Sequence, residues 1–459
     1  MSMKNMTLRR MAEACGGRLM GNEKEWDQEI GSVVTDSRKA EPGCLFAAIP
    51  GERVDGHQFI PSVLQQGAIG ILCQREPEIG AEGNYIVVSS TLQALKDLAR
   101  FYLEQVRIPV VGITGSVGKT STKEMIAAVL SQKYRVLKTL GNFNNELGLP
   151  LTVFRIREGD EIAVLEMGIS DFGEMHRLAE IAKPDTCVIT NIGQCHLEFL
   201  GDRDGVLRAK SEIFDFLRPD GYIVLNGDDD KLETVKEAKG VRSVFFGLDG
   251  DSDVYANRIE KKGLDGIACR IHAGQEAFDT LIPIPGLHMV YNALAGTAVG
   301  MHYGLTTEQI RAGIESLQPV SGRFHIIHSG RCTIIDDCYN ANPVSMKASL
   351  EVLQDGIGRK VAILGDMAEL GPREQEMHRG VGEFAGTLDI DECICVGSLC
   401  VHLAEGIRSV NPQMRVFCME NLQELLRQLG NMIKEGDTVL VKASHCMHFE
   451  KIVEKLTCI

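Results

Sequence analysis

The chain has no surplus of positive charge. Its 459 residues include 48 lysines and arginines against 63 aspartates and glutamates, so the formal net charge is −15 and the pI is near 5.4. A nucleic-acid backbone is negatively charged, so it attracts proteins with surplus basic residues and repels a protein with a net negative charge. The composition therefore argues against a general nucleic-acid binder. A local basic pocket for a small phosphate group stays compatible with it.

Long apolar runs and regularly spaced cysteines are missing as well. No stretch is long enough to span a bilayer, and the first residues contain no apolar signal core. The fourteen cysteines do not have the spacing of a disulfide framework. Cys393 and Cys395 lie in an apolar run without CxxC spacing, so we interpret them as buried core thiols rather than a metal or redox pair. We expect a cytoplasmic protein with reduced thiols and no membrane insertion. Since coiled-coil heptads are absent, we also expect a monomer.

The length and the alternation of elements predict three α/β domains. Short apolar strands alternate with amphipathic helices, which indicates parallel, doubly wound sheets. We predict a small N-terminal domain over 1–107, a central domain over 108–318 and a C-terminal domain over 319–459. A Gly-rich break from Asp249 to Pro285 predicts an antiparallel extension of the central sheet. Asn342 and Pro343 are typical of an N-cap and a first helical position.

A phosphate-binding loop follows the predicted strand Val110–Ile113. Its glycines let backbone N–H groups approach phosphate oxygens, Lys119 offers an ammonium and the Thr120 hydroxyl can hold Mg²⁺. The strict Walker pattern has a glycine five residues before Gly118, where this chain has Ile113. We therefore interpret the loop as a shortened variant that binds ATP through Thr114, Gly115, Ser116, Val117, Gly118, Lys119, Thr120 and Ser121.

A second group of candidate residues follows the strands of the central domain. Glu166 ends an apolar strand, which is a costly place for a carboxylate unless it meets a cation such as Mg²⁺. His196 follows the next strand through a glycine turn, at the edge where α/β sheets place their ligands. Taken alone, His196 could equally be a loop or core residue, and Lys210 could lie on a solvated helix face.

Ten short motifs follow one another along the chain. In order, they are TGSVGKTSTKEM, GNFNNELGLPLT, LEMGISDFGEM, TNIGQCHLEFLG, AKSEIF, LNGDDD, PGLHMVYNALA, SGRFH, DDCYNANPVSMKASL and LGDMAELG. Taken together, they resemble the motifs of the Mur ligases, the ATP-dependent amide-forming enzymes of peptidoglycan precursor synthesis, and the resemblance runs essentially end to end. The combination of DDCYNANP with LGDMAELG is most similar to the members that add a terminal D-alanyl-D-alanine dipeptide to UDP-N-acetylmuramoyl-tripeptide.

The resemblance implies a fold and a reaction. It implies a central P-loop ATPase domain, a C-terminal Rossmann-like domain and an N-terminal domain that binds the uridine diphosphate. The tripeptide carboxylate would take the γ-phosphoryl group of ATP, and the dipeptide amine would attack the acyl phosphate. Lys119 would be catalytic, Thr120 and Glu166 would hold a first Mg²⁺, and His196 and Lys210 would serve a second. Lys210 would be carbamylated, because an ammonium cannot ligate a metal; a salt-bridging Lys210 is the open alternative.

Further site residues follow from the same resemblance. It implies that Asn292 contacts the adenine side of ATP and that Arg323 and Asp337 approach the nucleotide from the third domain, which requires closure of the domains. The implied residues for the muramoyl substrate and the incoming dipeptide are Ser37, Arg38, Asp55, His57, Asn142, Asn144, Asn145, Tyr339, Asn340 and Asn342.

Several alternatives stay open at the level of sequence. The chain could be a nucleotide-binding protein that lost its chemistry, or a sibling such as a folate polyglutamate ligase. The presence of Lys119, Thr120, Glu166, His196 and Lys210 argues against the first, and the uridine-type first domain argues against the second. His445 stands where the family usually has an arginine. The general base for the amine and the third residue of the tripeptide cannot be read from the sequence.

Overall fold

The computed structural model describes residues 2–51, 54–78 and 80–458, and it consists of three α/β domains, each built on its own sheet. This confirms the predicted fold class, while the domain boundaries after residues 107 and 318 stay predictions. The helices and strands are numbered below in chain order.

The first sheet has five strands in the order β1-β5-β4-β3-β2, and only β1 runs antiparallel to its neighbour. The parallel strands β2 to β5 therefore end at one common edge. The strands are β1 (Arg18–Met20), β2 (Val33–Val34), β3 (Leu45–Ala47), β4 (Gly70–Cys73) and β5 (Tyr85–Val87), and the helices are α1 (Leu8–Ala14), α2 (Ile60–Gln65) and α3 (Thr91–Val106).

The central sheet has ten strands, and nine of them follow the order β15-β14-β13-β12-β10-β9-β6-β8-β7. The tenth, β11, pairs with β12. The strands are β6 (Val110–Thr114), β7 (Val136–Lys138), β8 (Ile162–Glu166), β9 (Thr186–Ile189), β10 (Tyr222–Asn226), β11 (Glu237–Ala238), β12 (Val241–Gly247), β13 (Val254–Lys261), β14 (Ile267–Ala273) and β15 (Glu276–Ile282). The helices are α4 (Lys119–Leu130), α5 (Gly148–Val153), α6 (Glu174–Ala182), α7 (Leu197–Leu200), α8 (Arg203–Ser211), α9 (Leu287–His302) and α10 (Thr307–Glu315).

Two sheet features of the central domain decide where a ligand can bind. The antiparallel pairing of β13, β14 and β15 confirms the extension predicted between Asp249 and Pro285. In the rest of the sheet, β6 lies between β8 and β9 and runs parallel to both. The ends of these three strands therefore meet at one edge, where α/β sheets bind their ligands.

The third sheet has six strands in the order β16-β17-β21-β18-β19-β20, and only β16 runs antiparallel. Its strands are β16 (His325–His328), β17 (Cys332–Asp336), β18 (Lys360–Gly365), β19 (Glu392–Val396), β20 (Arg415–Met419) and β21 (Asp437–Lys442). Its helices are α11 (Pro343–Leu353), α12 (Glu374–Gly386), α13 (Cys400–Val410), α14 (Leu422–Met432) and α15 (Glu450–Thr457). Asn342 is the N-cap of α11, as the sequence predicted.

The two faces of the central sheet pack against different domains. Strand side chains alternate between the faces, so Val111 and Ile113 of β6 pack with α4, α9 and α10, in a core that continues into the third domain. Val110 packs on the opposite face, in a core with α5, α6 and α8 that continues into α3 and the first domain. The central domain is thus held between the other two. In the part of the chain that the structure describes, no helix is long and apolar enough to cross a membrane.

Candidate active site

The phosphate loop joins β6 to α4 through two glycines with positive φ. Gly115 has φ +151°, and a Cβ atom there would lie 1.9 Å from Thr190 Oγ1. Gly118 has φ +78° and is the N-cap of α4. Ile113, which replaces the first Walker glycine, is a fully buried residue of β6. The shortened loop therefore needs glycine at the two positions that the sequence retains.

Lys119 and the first turn of α4 give this loop a positive charge. Lys119 Nζ donates to Gly115 O at 2.8 Å and to Ser116 O at 3.4 Å. Burial lowers the pKa of Lys119, and Glu166 opposes this shift. Backbone N–H groups at a helix N-terminus attract anions, and a lysine adds a full charge, so the loop is suited to phosphate.

Glu166 is a buried carboxylate at the end of β8, beside the loop. Its Oε1 accepts a hydrogen bond from Asn144 Nδ2 at 2.8 Å, and its backbone N–H donates to Thr139 Oγ1. Its Oε2 is buried and has no hydrogen-bond partner among the described residues. A buried carboxylate oxygen without a donor is costly, so this atom is suited to a cation.

Lys123 is a buried residue near Glu166 that sequence reasoning missed. Its Nζ donates to Thr139 O at 2.7 Å, lies 2.9 Å from Glu124 Oε1 and lies 3.9 Å from Glu166 Oε2. The sequence feature that could have identified Lys123 is its position four residues after Lys119, which places both lysines on one face of α4.

His196 and Lys210 lie near Lys119. They do not line the cleft that the phosphate loop forms with the third domain. The pKa of Lys210 is lowered to about 8, first by burial and then by the charge of Lys119. Among the described residues Lys210 forms no ion pair, so the salt-bridging alternative finds no partner in this structure. His196 has φ +51°, and its Nδ1 lies 3.2 Å from Glu369 Oε2 of the third domain. Burial lowers the pKa of His196, Glu369 opposes this shift, and Lys210 and Lys119 add to it.

Asn292 and His288 face the loop from successive turns of α9. Asn292 Oδ1 accepts a hydrogen bond from Thr122 Oγ1 at 2.8 Å, which ties α9 to α4. His288 packs against Phe324 with ring centroids 4.4 Å apart, and its buried Nε2 has no partner among the described residues. Burial lowers the pKa of His288 to about 4, although Asp337 opposes this shift. His288 is a further candidate for ligand contact.

Residues of the third domain form the opposite wall of the cleft. Arg323 Nη2 lies 3.5 Å from Thr120 Oγ1, and its guanidinium is 4.1 Å from the centroid of the Tyr339 ring. The ring of His445 stacks on Tyr339 with centroids 5.2 Å apart. Sequence reasoning missed Lys442, a buried lysine at the end of β21. Its Nζ forms an ion pair with Asp337 and donates to Asn340 O at 3.0 Å. Lys442 therefore fixes the loop that carries the predicted dipeptide residues.

The LGDMAELG motif has a structural role in the third domain. Asp366 Oδ1 accepts hydrogen bonds from the backbone N–H groups of Leu399 and Cys400 at the start of α13. His378 Nε2 accepts from Met367 N at 2.9 Å, and its Nδ1 lies 2.7 Å from Glu374 O. Although Asp366, His378 and Cys400 are close enough to resemble a metal site, both histidine nitrogens already have partners. These contacts hold the segment that carries Glu369.

Within the GNFNNE loop, the three predicted asparagines have different surroundings. Asn142 and Asn144 line the cleft. Asn145 Oδ1 instead accepts from Leu147 N and Gly148 N, so it caps the start of α5. Asn342 lines the cleft while its Oδ1 accepts from Ser345 N at 2.9 Å, so only part of its amide is free for a substrate.

The candidate residues of the first domain lie beyond the parallel strands of its sheet, away from this cleft. Ser37 and Arg38 follow β2, and Arg38 forms a double hydrogen bond with Asp36. Asp55 and His57 follow β3, with His57 Nδ1 2.7 Å from Asp55 Oδ1. His57 Nε2 accepts from Gln74 N, so both ring nitrogens have partners. Arg75, which sequence reasoning missed, donates to Asp55 at the same edge.

The cleft between the central and third domains has a volume of about 540 Å³. It brings together most of the predicted ATP and dipeptide residues. Those that line it are Ser116, Val117, Gly118, Lys119, Thr120, Ser121, Asn142, Asn144, Glu166, Asn292, Arg323, Asp337, Tyr339, Asn340 and Asn342. The predicted residues outside this lining are Ser37, Arg38, Asp55, His57, Thr114, Gly115, Asn145, His196 and Lys210.

The cysteines contribute no ligand set to this cleft. All fourteen are free thiols. Cys393 and Cys395 are buried, as predicted, with their sulfur atoms 3.7 Å apart. The expected oligomeric state and cellular location stay predictions.

Comparison with known proteins relates the whole chain to one family. Models of the Mur ligase family catalytic domain, the Mur ligase middle domain and the Mur ligase glutamate ligase domain match residues 29–113, 113–300 and 322–445. The UDP-N-acetylmuramoyl-tripeptide–D-alanyl-D-alanine ligase of Bacillus subtilis is 38% identical over 98% of both chains.

Two solved structures extend the similarity to the arrangement of the domains. A crystal structure of MurF from Acinetobacter baumannii is 33% identical, with a TM-score of 0.91 over 100% of both chains. The MurF ligase of Thermotoga maritima in complex with ADP is 31% identical, with a TM-score of 0.81 over 93% of this chain and 97% of that one. With matches to all three domains and this full-length identity, the chain belongs to the Mur ligase family.

Proposed function

We propose that this chain is an ATP-dependent ligase that adds D-alanyl-D-alanine to UDP-N-acetylmuramoyl-tripeptide. The observation that carries the proposal is the cleft in which the phosphate loop and Glu166 face polar side chains of the third domain. Within the described chain, Glu166 Oε2 accepts no hydrogen bond. The full-length identity to the Bacillus subtilis ligase of this name supports the choice of substrates. The ADP complex of the Thermotoga maritima relative supports ATP as the nucleotide.

The proposed chemistry has two steps. The terminal carboxylate of the tripeptide attacks the γ-phosphorus of ATP, the bond to the β-phosphate oxygen breaks, and ADP leaves an acyl phosphate behind. The dipeptide amine then attacks the acyl carbon, phosphate leaves, and the amine releases a proton. Lys119 and the N-terminus of α4 stabilise the negative charge that develops on the phosphoryl oxygens. Arg323 adds a positive charge from the third domain.

The residues near the loop fit magnesium. Glu166 Oε2 lacks a hydrogen-bond partner, and hydroxyl and carboxylate oxygens are the ligands that Mg²⁺ prefers. We propose that Thr120 and Glu166 hold one ion and that His196 and Lys210 hold a second. When bound, Mg²⁺ neutralises phosphate and carboxylate charge during phosphoryl transfer.

We further propose that Lys210 is carbamylated. CO₂ reacts with a neutral amine: an N–C bond forms, a proton is released, and the lysine becomes a carboxylate on a long arm. The buried Lys210, with a pKa lowered to about 8, has more neutral amine near pH 7 than an exposed lysine has. Carbamylation would turn a cation without an ion pair into a metal ligand.

The carbamylation test uses the variant Lys210→Ala. We expect it to lose turnover and to regain part of it with excess bicarbonate or a short carboxylic acid. The matched control is Arg208→Ala, which removes an exposed basic residue of the same helix and should keep wild-type turnover. Full activity of Lys210→Ala without any additive would contradict a metal role for Lys210.

The remaining substrate assignments follow the division into domains. We propose that Ser37, Arg38, Asp55 and His57 bind the uridine diphosphate at the edge of the first sheet. Asn142, Asn144 and Asn145 would lie between ATP and the muramoyl peptide, and Asn292 and Asp337 would contact the nucleotide. Tyr339, Asn340 and Asn342 would face the incoming dipeptide.

The experiment that tests the function measures phosphate release from Mg·ATP with UDP-N-acetylmuramoyl-tripeptide, with and without D-alanyl-D-alanine, while mass spectrometry follows the product. We expect turnover only with all three substrates, together with a pentapeptide product. Turnover that follows a pterin acceptor instead would indicate the folate-type sibling. ATP binding without turnover on any acceptor would indicate a protein that has lost its chemistry.

A further inference from the structure

The carboxylate of Glu146 is held between two cations from two different helices. Lys96 on α3 donates to Glu146 Oε2, and Arg177 on α6 donates to Glu146 Oε1. Lys96 is the more enclosed cation, with 10% of its side chain exposed, and Glu146 has 24% exposed. Burial alone would raise the pKa of Glu146, but the hydrogen bonds from the two cations outweigh it and lower the pKa. The three side chains therefore form a charged clamp, here called the Glu146 clamp.

Two residues before Glu146, Asn144 is fixed at both its backbone and its side chain. Its backbone oxygen accepts from Gly168 N at 2.8 Å, and its Nδ2 donates to Glu166 Oε1 at 2.8 Å. Asn145, between them, caps α5 with its side-chain oxygen. The segment from Asn144 to Glu146 thus connects the clamp to the carboxylate beside the phosphate loop with little freedom in between.

The contact from Asn144 determines which oxygen of Glu166 is free. Oε1 accepts from Asn144, whereas Oε2 accepts no hydrogen bond from the described residues and has the Lys123 ammonium 3.9 Å away. A displacement of the loop would remove the Asn144 donor and let the carboxylate rotate. Partners that orient a ligating carboxylate tune the metal affinity of a site, usually by about 10-fold to 100-fold.

We propose that Lys96 and Arg177 are positioning residues, which hold Asn144 against Glu166 through the Glu146 clamp and so set the affinity of the cation site. This inference rests on the proposed function for the role of Glu166 as a metal ligand. Lys96 belongs to α3, whose buried face packs with both the first domain and the central domain. Through the clamp, the geometry of the cation site therefore depends on the position of α3 between the first and central domains.

The test measures binding of Mn²⁺ in the presence of ADP by the loss of the free Mn²⁺ EPR signal. We expect the double variant Lys96→Met, Arg177→Met to bind Mn²⁺ about tenfold more weakly than the wild type. The matched control is Arg100→Met. Arg100 also lies on α3 and pairs with Glu180 on α6, but this ion pair is only partly buried and does not involve the segment from Asn144 to Glu146. The control should keep the wild-type affinity.

A second, more conservative variant tests the clamp in case the double variant does not fold. Glu146→Gln keeps the shape of the side chain and removes the charge, and we expect it to weaken Mn²⁺ binding in the same direction. In the ligase assay, the Mg²⁺ concentration for half-maximal turnover should rise while the KM for the dipeptide stays unchanged. Unchanged Mn²⁺ affinity in both folded variants would overturn the proposal. A wild type that binds Mn·ADP but forms no amide would count against the proposed function alone, because the Mn²⁺ measurement does not require turnover.

Discussion

At the scale of single residues, the cleft contains buried polar atoms that have no hydrogen-bond partner within the described chain. Glu166 Oε2 and His288 Nε2 are both of this kind. Such an atom costs about 1–3 kcal/mol unless another group satisfies it. Both residues line the cleft, so a bound ligand could supply the missing partner. The same burial also makes the stability of the protein depend on pH.

We predict that His288 makes the protein less stable in mild acid. Its folded pKa of about 4 lies below the usual histidine pKa of 6.5. Below pH 6.5 the unfolded chain therefore binds a proton that the folded protein does not take up until about pH 4. Stability therefore falls as the pH drops through this window, by about 2 kcal/mol between pH 7 and pH 5. Thermal unfolding at both pH values measures the loss, and His288→Gln should reduce it.

The exposed His328 provides the control for this measurement. The variant His328→Gln should lose as much stability between pH 7 and pH 5 as the wild type does. If the wild type and His288→Gln gave parallel curves of melting temperature against pH, the assignment of this pH dependence to His288 would be wrong.

A site residue could be predicted from the sequence when its neighbours in the sequence determine its surroundings in the fold. Glu166 could be recognised as a candidate from the sequence, because a carboxylate at the end of an apolar strand is costly in any fold. Lys442 was missed because its burial arises from the Asp337–Asn340 loop about a hundred residues earlier in the chain. The assignment of Asn145 to the substrate stays a prediction, because an amide that caps a helix and an amide that binds a ligand have the same sequence signal.

At the scale of elements, strands were predictable where both of their faces are buried. The apolar strands predicted before Glu166 and before His196 correspond to β8 and β9, which have a neighbouring strand on each side and are buried throughout. The edge strands β16 and β20 were not predicted individually. Most of their residues are only partly buried or exposed, so burial does not impose an apolar pattern on both of their faces. The antiparallel extension was recognised from its alternation instead.

We predict that the phosphate loop between β6 and α4 does not tolerate alanine at Gly115. In Gly115→Ala the new Cβ would lie 1.9 Å from Thr190 Oγ1, on a backbone with φ +151°, so the loop or β9 must shift. We expect a loss of about 2 kcal/mol or more in the free energy of unfolding and loss of nucleotide binding. Thermal unfolding and ADP titration measure the two effects.

A matched glycine separates the close contact from backbone strain. Gly240 also has positive φ, but a Cβ there would meet nothing within 4 Å, so Gly240→Ala should cost less and keep ADP binding. Adding Thr190→Ala to Gly115→Ala should recover part of the loss, because it removes the oxygen that clashes. Equal costs for the two glycine variants would contradict the contact explanation.

At the scale of the whole molecule, the cleft is assembled from segments far apart in sequence. Thr120 and Arg323 approach each other across two domains, and His196 meets Glu369 in the same way. The alternation of strands and helices predicts three domains but carries no information on how they are placed relative to one another. That information is in the buried faces of α4, α9 and α11, whose partners only the folded chain reveals.

Arg323 allows a test of the contribution of the third domain. Its guanidinium reaches Thr120 from across the cleft and rests on the Tyr339 ring, whereas the phosphate loop lies wholly in the central domain. We expect Arg323→Met to lower kcat about 100-fold, because it removes the positive charge that we propose for the stabilisation of the phosphoryl group. The Kd for ADP without other substrates should change less than about threefold, since the contacts from the loop remain.

Arg331 supplies the matched control for this prediction. It is an arginine of the same domain, and its Nη2 donates to Gly430 O. Arg331→Met should therefore keep the wild-type kcat. An equal loss in kcat and in ADP affinity in Arg323→Met would mean that the residue binds the nucleotide before the domains close. An unchanged kcat would mean that the third domain contributes no charge to phosphoryl transfer through Arg323.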